Sequence, residues 1–228
     1  MSIELIGRIV TPDYISFMLR GARLSLTVAG FALIFGTILG IIGAAGRISK
    51  NKLIYGASTV YVELVRGTPM LLQIYFLFLG LPAIAVMVTG RPINLPLVTI
   101  GIIAMSINSG AYSAELFRAA IQGIDKGQWE AAKSLGLNYF DTMRFIILPQ
   151  AVKRVIPPMV SEFVTLIKDS SLLGAIGMIE LLNASRVIGS RYYNFVIPLL
   201  MASAVYLILT ITISKLSAKL ERRLAASD

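Results

Sequence analysis

The sequence predicts an all-α membrane protein of several spans, and three observations carry that prediction. Of its 228 residues, 56% are hydrophobic and only 14% charged, and the mean hydropathy is +0.78. Four windows free of charge, Leu24–Gly46, Gly67–Gly90, Pro92–Ala114 and Tyr192–Ser214, each hold 23 or 24 residues. As helix, such a window reaches roughly 35 Å and covers a hydrocarbon layer about 30 Å thick. The basic residues, finally, fall in the connections between windows, as the positive-inside rule distributes them. That placement accounts for the net charge of +9 without an acidic partner, so no nucleic acid is expected. With neither cysteine nor histidine in the chain, thiolate chemistry and the commonest general base and metal ligand are absent; no catalytic residue and no metal site is expected.

A single transmembrane domain, 1–228, follows element by element. Residues 1–23 read as an interfacial lead-in in which Pro12 and Asp13 start a helix; no basic start and cleavage site precede it, so no signal peptide is expected. The first span, about 24–47, carries Gly36-x-x-x-Gly40, which is either a close-packing pair or ordinary glycine enrichment of a membrane helix. The second, about 55–88, contains Glu63 and Arg66 three residues apart, placed to neutralise each other, then a break at Pro69. These two charges either snorkel at the interface or line a cavity at the broken helix. The third span runs about 96–122, the fourth about 154–175 with Glu162 inside it, and the fifth about 192–216. No internal repeat is visible, which speaks against an inverted-repeat carrier.

Five spans put the termini on opposite sides. With the N-terminus outside, thirteen basic residues fall in the cytoplasm: Arg47, Lys50, Lys52, Arg118, Lys126, Lys133, Arg144, Lys153, Arg154, Lys215, Lys219, Arg222 and Arg223. Six fall outside: Arg8, Arg20, Arg23, Arg91, Arg186 and Arg191. The bias places the C-terminus and the segment around Glu130 in the cytoplasm.

That segment reads as a short surface helix, about 126–136. Asp125 can cap it, with Gln128 returning the bond as a capping box. Trp129, Ala132 and Leu135 form one apolar stripe, and Gly136 suits the left-handed position that ends a helix. Asn138, with Asp141 three residues on, opens a second helix that Pro149 bends. Composition alone leaves two uses open: lying on lipid, or offering the small pair Ala131-Ala132 to another protein.

The spacing goes further. Glu130-Ala131-Ala132, then Gly136, then Ile146-x-Leu148-Pro149 reproduces EAA-x3-G-x9-I-x-L-P and resembles the signature loop of membrane subunits of bacterial ABC importers. "ELVRGTPMLLQIYF" (63–76), "SGAYSAELFRAAIQGIDKGQWEAAKSLG" (109–136) and "LIKDSSLLGAI" (166–176) resemble the branch that imports polar amino acids, such as histidine, glutamine or arginine permeases. The likeness covers roughly 24–220; Ser170-Ser171 stands where that branch often has Thr-Ser.

The resemblance implies a five-helix permease core in the bacterial inner membrane, paired with a second permease subunit that is either a copy or a different chain. It implies two cytoplasmic ATPases, an extracytoplasmic solute-binding protein and an amino-acid substrate. Glu130, Ala131, Ala132, Lys133 and Gly136 would form the coupling helix seated on an ATPase. This chain has no G-x-x-x-x-G-K-[ST] phosphate loop, so it is expected to be no enzyme; ATP and magnesium would sit on the partner ATPase and no cofactor on this chain.

Polar residues at mid-membrane are functional candidates by default. Asn108, Tyr112 and Glu162 are the candidates for binding a polar or cationic amino acid, although a neighbouring helix or the second subunit is an equally available partner for Glu162. Lys168, Asp169, Ser170 and Ser171 are gate candidates, with a plain helix cap as the alternative role for Asp169. Two other functions are compatible with the residues alone. One is a proton-coupled carrier relaying through Glu63, Glu115 and Glu162; the other is a membrane-anchored assembly protein that docks partners and moves nothing.

Overall fold

The computed structural model describes residues 3–225, with side chains from 4 to 219; Arg222 and Arg223 of the basic tail lie outside the described side chains. Everything described is helix or connection, in the order α1 (Ile3–Ile9), α2 (Pro12–Ile48), α3 (Lys52–Arg66), α4 (Met70–Tyr75), α5 (Leu81–Thr89), α6 (Leu97–Gln122), α7 (Lys126–Ser134), α8 (Tyr139–Thr142), α9 (Leu148–Asp169), α10 (Leu181–Tyr192) and α11 (Val196–Ala225). A π-turn joins α4 to α5, another joins α8 to α9, and a 3₁₀ turn, Ser170–Ile176, follows α9. Among the described residues, four stretches are long and apolar enough to cross a membrane: Pro12–Ile48, Met70–Thr89, Leu97–Gln122 and Val196–Lys219. Tyr139–Ile176, bent by 49° against Leu181–Tyr192, makes a fifth if the pair is one broken span.

Four boundaries differ from the sequence reading. The fourth span is helical from Tyr139 and its α-helix ends at Asp169, and the fifth starts at Val196 because Tyr193, at φ 50°, breaks the chain after α10. The lead-in is not separate: from Pro12 onward it belongs to α2, because Pro12 and Asp13 start a helix that nothing interrupts before Ile48. The second span begins at Met70. Its expected first part is a helix of its own, α3, which stops at Arg66 and Gly67 before Pro69 takes an extended conformation (φ −61°, ψ 137°). Proline has no amide to donate and its ring obstructs the preceding turn, so the predicted break at Pro69 is complete.

The chain forms two compact units: Met1–Ile34 with Thr68–Ser106 and Phe163–Ile213, and Phe35–Gly67 with Ile107–Glu162 and Ser214–Asp228. In the first, Val28, Ala29, Ala32, Ile74, Met105, Leu166, Ile167 and Leu173 form a buried core. A second buried cluster joins Ile9, Met18 and Ala22 to Leu181, Ala184 and Ile188 of α10. Between them lies Glu180, fully buried. Its carboxylate caps α10, accepting from the amides of Leu182 and Asn183 at 2.7 Å each, and from the Tyr206 hydroxyl of α11 at 3.2 Å. Gly21 of α2 sits against the Glu180 backbone so closely that a Cβ there would fall 2.9 Å from the carbonyl carbon.

The second unit is built on small residues. Cβ atoms added at Gly36 and Gly43 of α2 would lie 2.8 Å and 2.9 Å from the Cβ atoms of Ser109 and Ala114 on α6, and one at Gly40 would collide with Ser113. The choice that Gly36-x-x-x-Gly40 leaves open in sequence therefore falls to close packing. Lipid tails are as apolar as the side chains, so helices in hydrocarbon associate through such close backbone approach and not through the hydrophobic effect. Tyr61 of α3 adds a hydrogen bond to the Ile107 carbonyl at 2.8 Å. Helix α9 runs antiparallel to α6: the Arg154 guanidinium donates to the Gly123 carbonyl, and the Ser113 hydroxyl meets the Met159 sulfur at 3.7 Å.

Two stability effects are expected. Gly40→Leu should lower the melting temperature of the detergent-purified protein, reflecting overpacking on the order of 1–3 kcal/mol. Gly56→Ala, with nothing within 4 Å of an added Cβ, should leave it in place. Glu180→Ala strips the acceptor from two amides and a hydroxyl and should destabilise by about 1–3 kcal/mol, read in the same melt.

Candidate functional site

The predicted short helix is α7, and hydrogen bonds close both of its ends. Asp125 accepts from the Gly127 amide at 2.7 Å. The expected capping box is not formed: the Gln128 side chain instead accepts from Gln150 Nε2 at 3.2 Å, tying α7 to α9. At the other end Gly136 has φ +77°, the Leu137 amide donates to the Ala132 carbonyl (3.1 Å) and the Gly136 amide to the Lys133 carbonyl (3.0 Å). That bond pair is the Schellman stop, which glycine permits at no steric cost. Asn138 caps α8 as expected, accepting from the Asp141 amide at 2.9 Å.

Only part of the predicted stripe is buried. Ala132 is buried and Trp129 half-buried, stacked on Tyr139 with centroids 5.8 Å apart, while Leu135 is 79% exposed. Glu130, Ala131, Lys133 and Gly136 are exposed beside it. Tyr139 and Phe140 are more than half exposed as well, so the helix and the turn after it present a mixed surface of apolar rings and charges.

The substrate candidates lie on α6 and α9. Asn108 is buried, Tyr112 stands one turn along the same helix, and Glu162 is half-buried on α9. From the Ser113–Met159 contact, Asn108 is five residues back along α6 and Glu162 three residues on along α9. In antiparallel helices both steps go the same way, so the two side chains stand at depths about 3 Å apart. Tyr112 is drawn elsewhere: the Arg66 guanidinium lies 5.3 Å from its ring centroid.

The gate candidates follow on. Ser170 is buried and donates to the Ile167 carbonyl at 2.7 Å; Ser171 and Asp169 are half-buried and Lys168 exposed. Asp169 makes no side-chain cap on the 3₁₀ turn, so its capping role drops out.

The most connected charges are ones the sequence paired differently. Glu63 and Arg66 do not serve each other: Glu63 bonds Arg47 of α2 at 3.1 Å, and Arg66 approaches Glu115 of α6 at 4.0 Å. Glu115 holds Arg118, three residues along the same helix, at 2.6 Å, and also Arg47 at 3.2 Å. Arg47 and Glu115 are 12% and 17% exposed, so these pairs are shielded from bulk water. A five-residue cluster of three cations and two carboxylates thus joins α2, α3 and α6. Both carboxylates being committed to it, Glu63 and Glu115 have little to offer a proton relay. Glu115, with three arginine partners, is its hub; sequence reasoning missed Arg47, which bridges Glu63 and Glu115, and missed Glu180 altogether. A Glu opening a helix three residues before "NAS" is a weak cap signal, and only the fold shows it buried.

Residues 36–226 match the family described as "Binding-protein-dependent transport system inner membrane component". A Rickettsia conorii protein named "Putative glutamine transport system permease protein GlnP" is 35% identical over 92% of this chain and 94% of its own length. The "Arginine transport system permease protein ArtQ" of Bacillus subtilis is 33% identical over 96% and 97%. A solved structure described as an amino acid ABC transporter with histidines superposes with a TM-score of 0.88 at 34% identity, covering 98% of this chain and 100% of that one. The all-helical order of elements agrees with these likenesses: the chain belongs to the family of inner membrane components of binding-protein-dependent transport systems.

Proposed function

We propose that this chain is the permease subunit of an ATP-driven importer of polar amino acids, a class that includes the basic ones. The observation that carries the reading is α7, a separately capped helix between membrane spans. It offers Glu130, Ala131, Lys133 and Gly136 to solvent and keeps Ala132 as its inward anchor. In this reading α7 is the coupling helix, and ATP and magnesium bind two cytoplasmic ATPase subunits that dock on it. The N-terminus faces outward and the C-terminus the cytoplasm, in keeping with the distribution of Lys and Arg. A second permease subunit completes the pathway and an extracytoplasmic binding protein delivers the solute. Relatives named for glutamine and arginine transport, and a structural neighbour described with histidines, support the substrate class.

Glu162 and Asn108 are the residues we assign to the solute. A carboxylate at mid-membrane suits the ammonium or guanidinium of a basic amino acid, and an amide at similar depth can bond the rest of it. The pathway works by two orientations whose balance nucleotide on the ATPase shifts through α7; such a shift needs contacts that differ between the two states.

Two outcomes are expected in vesicles carrying the whole transporter. Glu130→Lys, at an exposed position, should leave the melting of the membrane part in place but uncouple hydrolysis from uptake; tight coupling in that variant would remove α7 from the docking role. Glu162→Gln should lower uptake of arginine about tenfold, the weight of one charge-assisted hydrogen bond. Unchanged arginine uptake would remove Glu162 from the solute site and leave the permease assignment standing.

A further inference from the structure

In the second unit, a groove of about 830 Å³ opens where α2, α6 and the chain entering α9 come together. Its walls are helical stripes: Ile41, Ala44, Ala45 and Ile48 of α2 at positions i, i+3, i+4 and i+7, faced by Phe117 and Ile121 of α6. The α2 stripe alone runs about 10 Å along the helix axis. At the end of that stripe stand Ser49 and Lys50, and Tyr139 adds a second hydroxyl to the lining. No carboxylate lines the groove; Lys50 is exposed and is its one charged lining residue. Among the described residues no ion pair engages Lys50.

An elongated apolar slot ending in a cation and hydroxyl donors has the polarity of an anionic amphiphile. We propose that this groove binds an anionic phospholipid, with an acyl chain along Ile41 to Ile48 and the phosphate at Lys50, Ser49 and Tyr139. The neighbouring charge is mostly of the same sign: Lys52 lies two residues beyond Lys50 and Arg144 follows the lining residue Met143, while the one carboxylate nearby in sequence, Asp141, accepts from Asn138 Nδ2 at 2.6 Å. Basic pockets between membrane helices are where anionic headgroups settle. Because α2 ends at Ile48, its last carbonyls repel an anion, and Lys50 is the group that reverses the local sign. The chain's own C-terminal segment is a poor occupant on charge grounds, since Lys215, Lys219, Arg222 and Arg223 share the sign of Lys50. The site has a route to function as well: Tyr139 on its wall stacks on Trp129 of α7, so a bound lipid braces the proposed coupling helix.

The test is native mass spectrometry of the intact transporter taken from nanodiscs of phosphatidylglycerol or of phosphatidylcholine, with Lys50→Glu and Ala45→Phe as variants. Lys50 and Ala45 are exposed, so neither change disturbs a buried contact. The expected result is retained phosphatidylglycerol on the unaltered protein, little phosphatidylcholine, and loss of the adduct by about fivefold or more in Lys50→Glu, the weight of one basic residue at an anionic surface. Ala45→Phe should give a similar loss by filling the slot. Equal retention of both lipids, or phosphatidylglycerol held unchanged by both variants, overturns the proposal. So does a change of subunit stoichiometry in Ala45→Phe, which would make the occupant another protein chain. Phosphatidylglycerol binding that emerges only after removal of residues 220–228 also overturns it, by making the tail the occupant. None of these readouts depends on which solute is carried, so the outcome is separate from that of the import assignment.

Discussion

Hydrocarbon gives a helix neither hydrogen-bonding solvent nor a hydrophobic reason to meet another helix, and this constraint governs the rest of the molecule. In the second unit the answer is the seam of Gly36, Gly40 and Gly43 against Ser109, Ser113 and Ala114, where backbones approach because side chains are nearly absent. The seam fixes α2 on α6, and with it the two arginines and one glutamate that those helices bring to the ion cluster, Arg47, Arg118 and Glu115. In the first unit the answer is different: the buried carboxylate of Glu180 satisfies the start of α10 and a hydroxyl of α11 together.

These two solutions differ in what they permit. A glycine seam is held by many weak dispersion contacts, and it tolerates no added methyl. A buried capped carboxylate is held by few strong, directional bonds, so removing it leaves donors that nothing nearby replaces. The ion cluster is a third case. Arg47, Glu115 and Arg118 are shielded while Glu63 is mostly exposed, and breaking a pair among the shielded three leaves a charge whose remaining partners already serve others, so those three should respond to substitution as a group and not additively.

Much of this was legible in the sequence, and the reasons for the gaps are physical. Spans declared themselves by charge-free length, Pro69 by its missing donor, Gly136 by the conformation only glycine takes freely, and α7 by its spaced motif. What failed was partner choice. Glu63 and Arg66 are correctly spaced for each other, yet Arg47, sixteen residues away from Glu63, takes the carboxylate. Gln128 was placed to complete a capping box, and Gln150 draws it away. Leu135 looked like the end of a buried stripe and stands in the open, as a surface that docks another protein would. Spacing along one helix reports which side chains share a face, while the nearest partner is decided by which other helix arrives there. Glu180 was missed for the same reason: its burial is made by α2 and α11, far off in sequence.

The account rests on nucleotide hydrolysis elsewhere being transmitted through α7 to a pathway in the membrane. Uptake of labelled arginine by vesicles containing this chain, its ATPases and the binding protein tests that most directly, with ATP and a proton gradient supplied separately. The account predicts uptake only with hydrolysable ATP and the ATPases present, and none from the gradient alone. Uptake driven by the proton gradient in vesicles lacking the ATPases would contradict it.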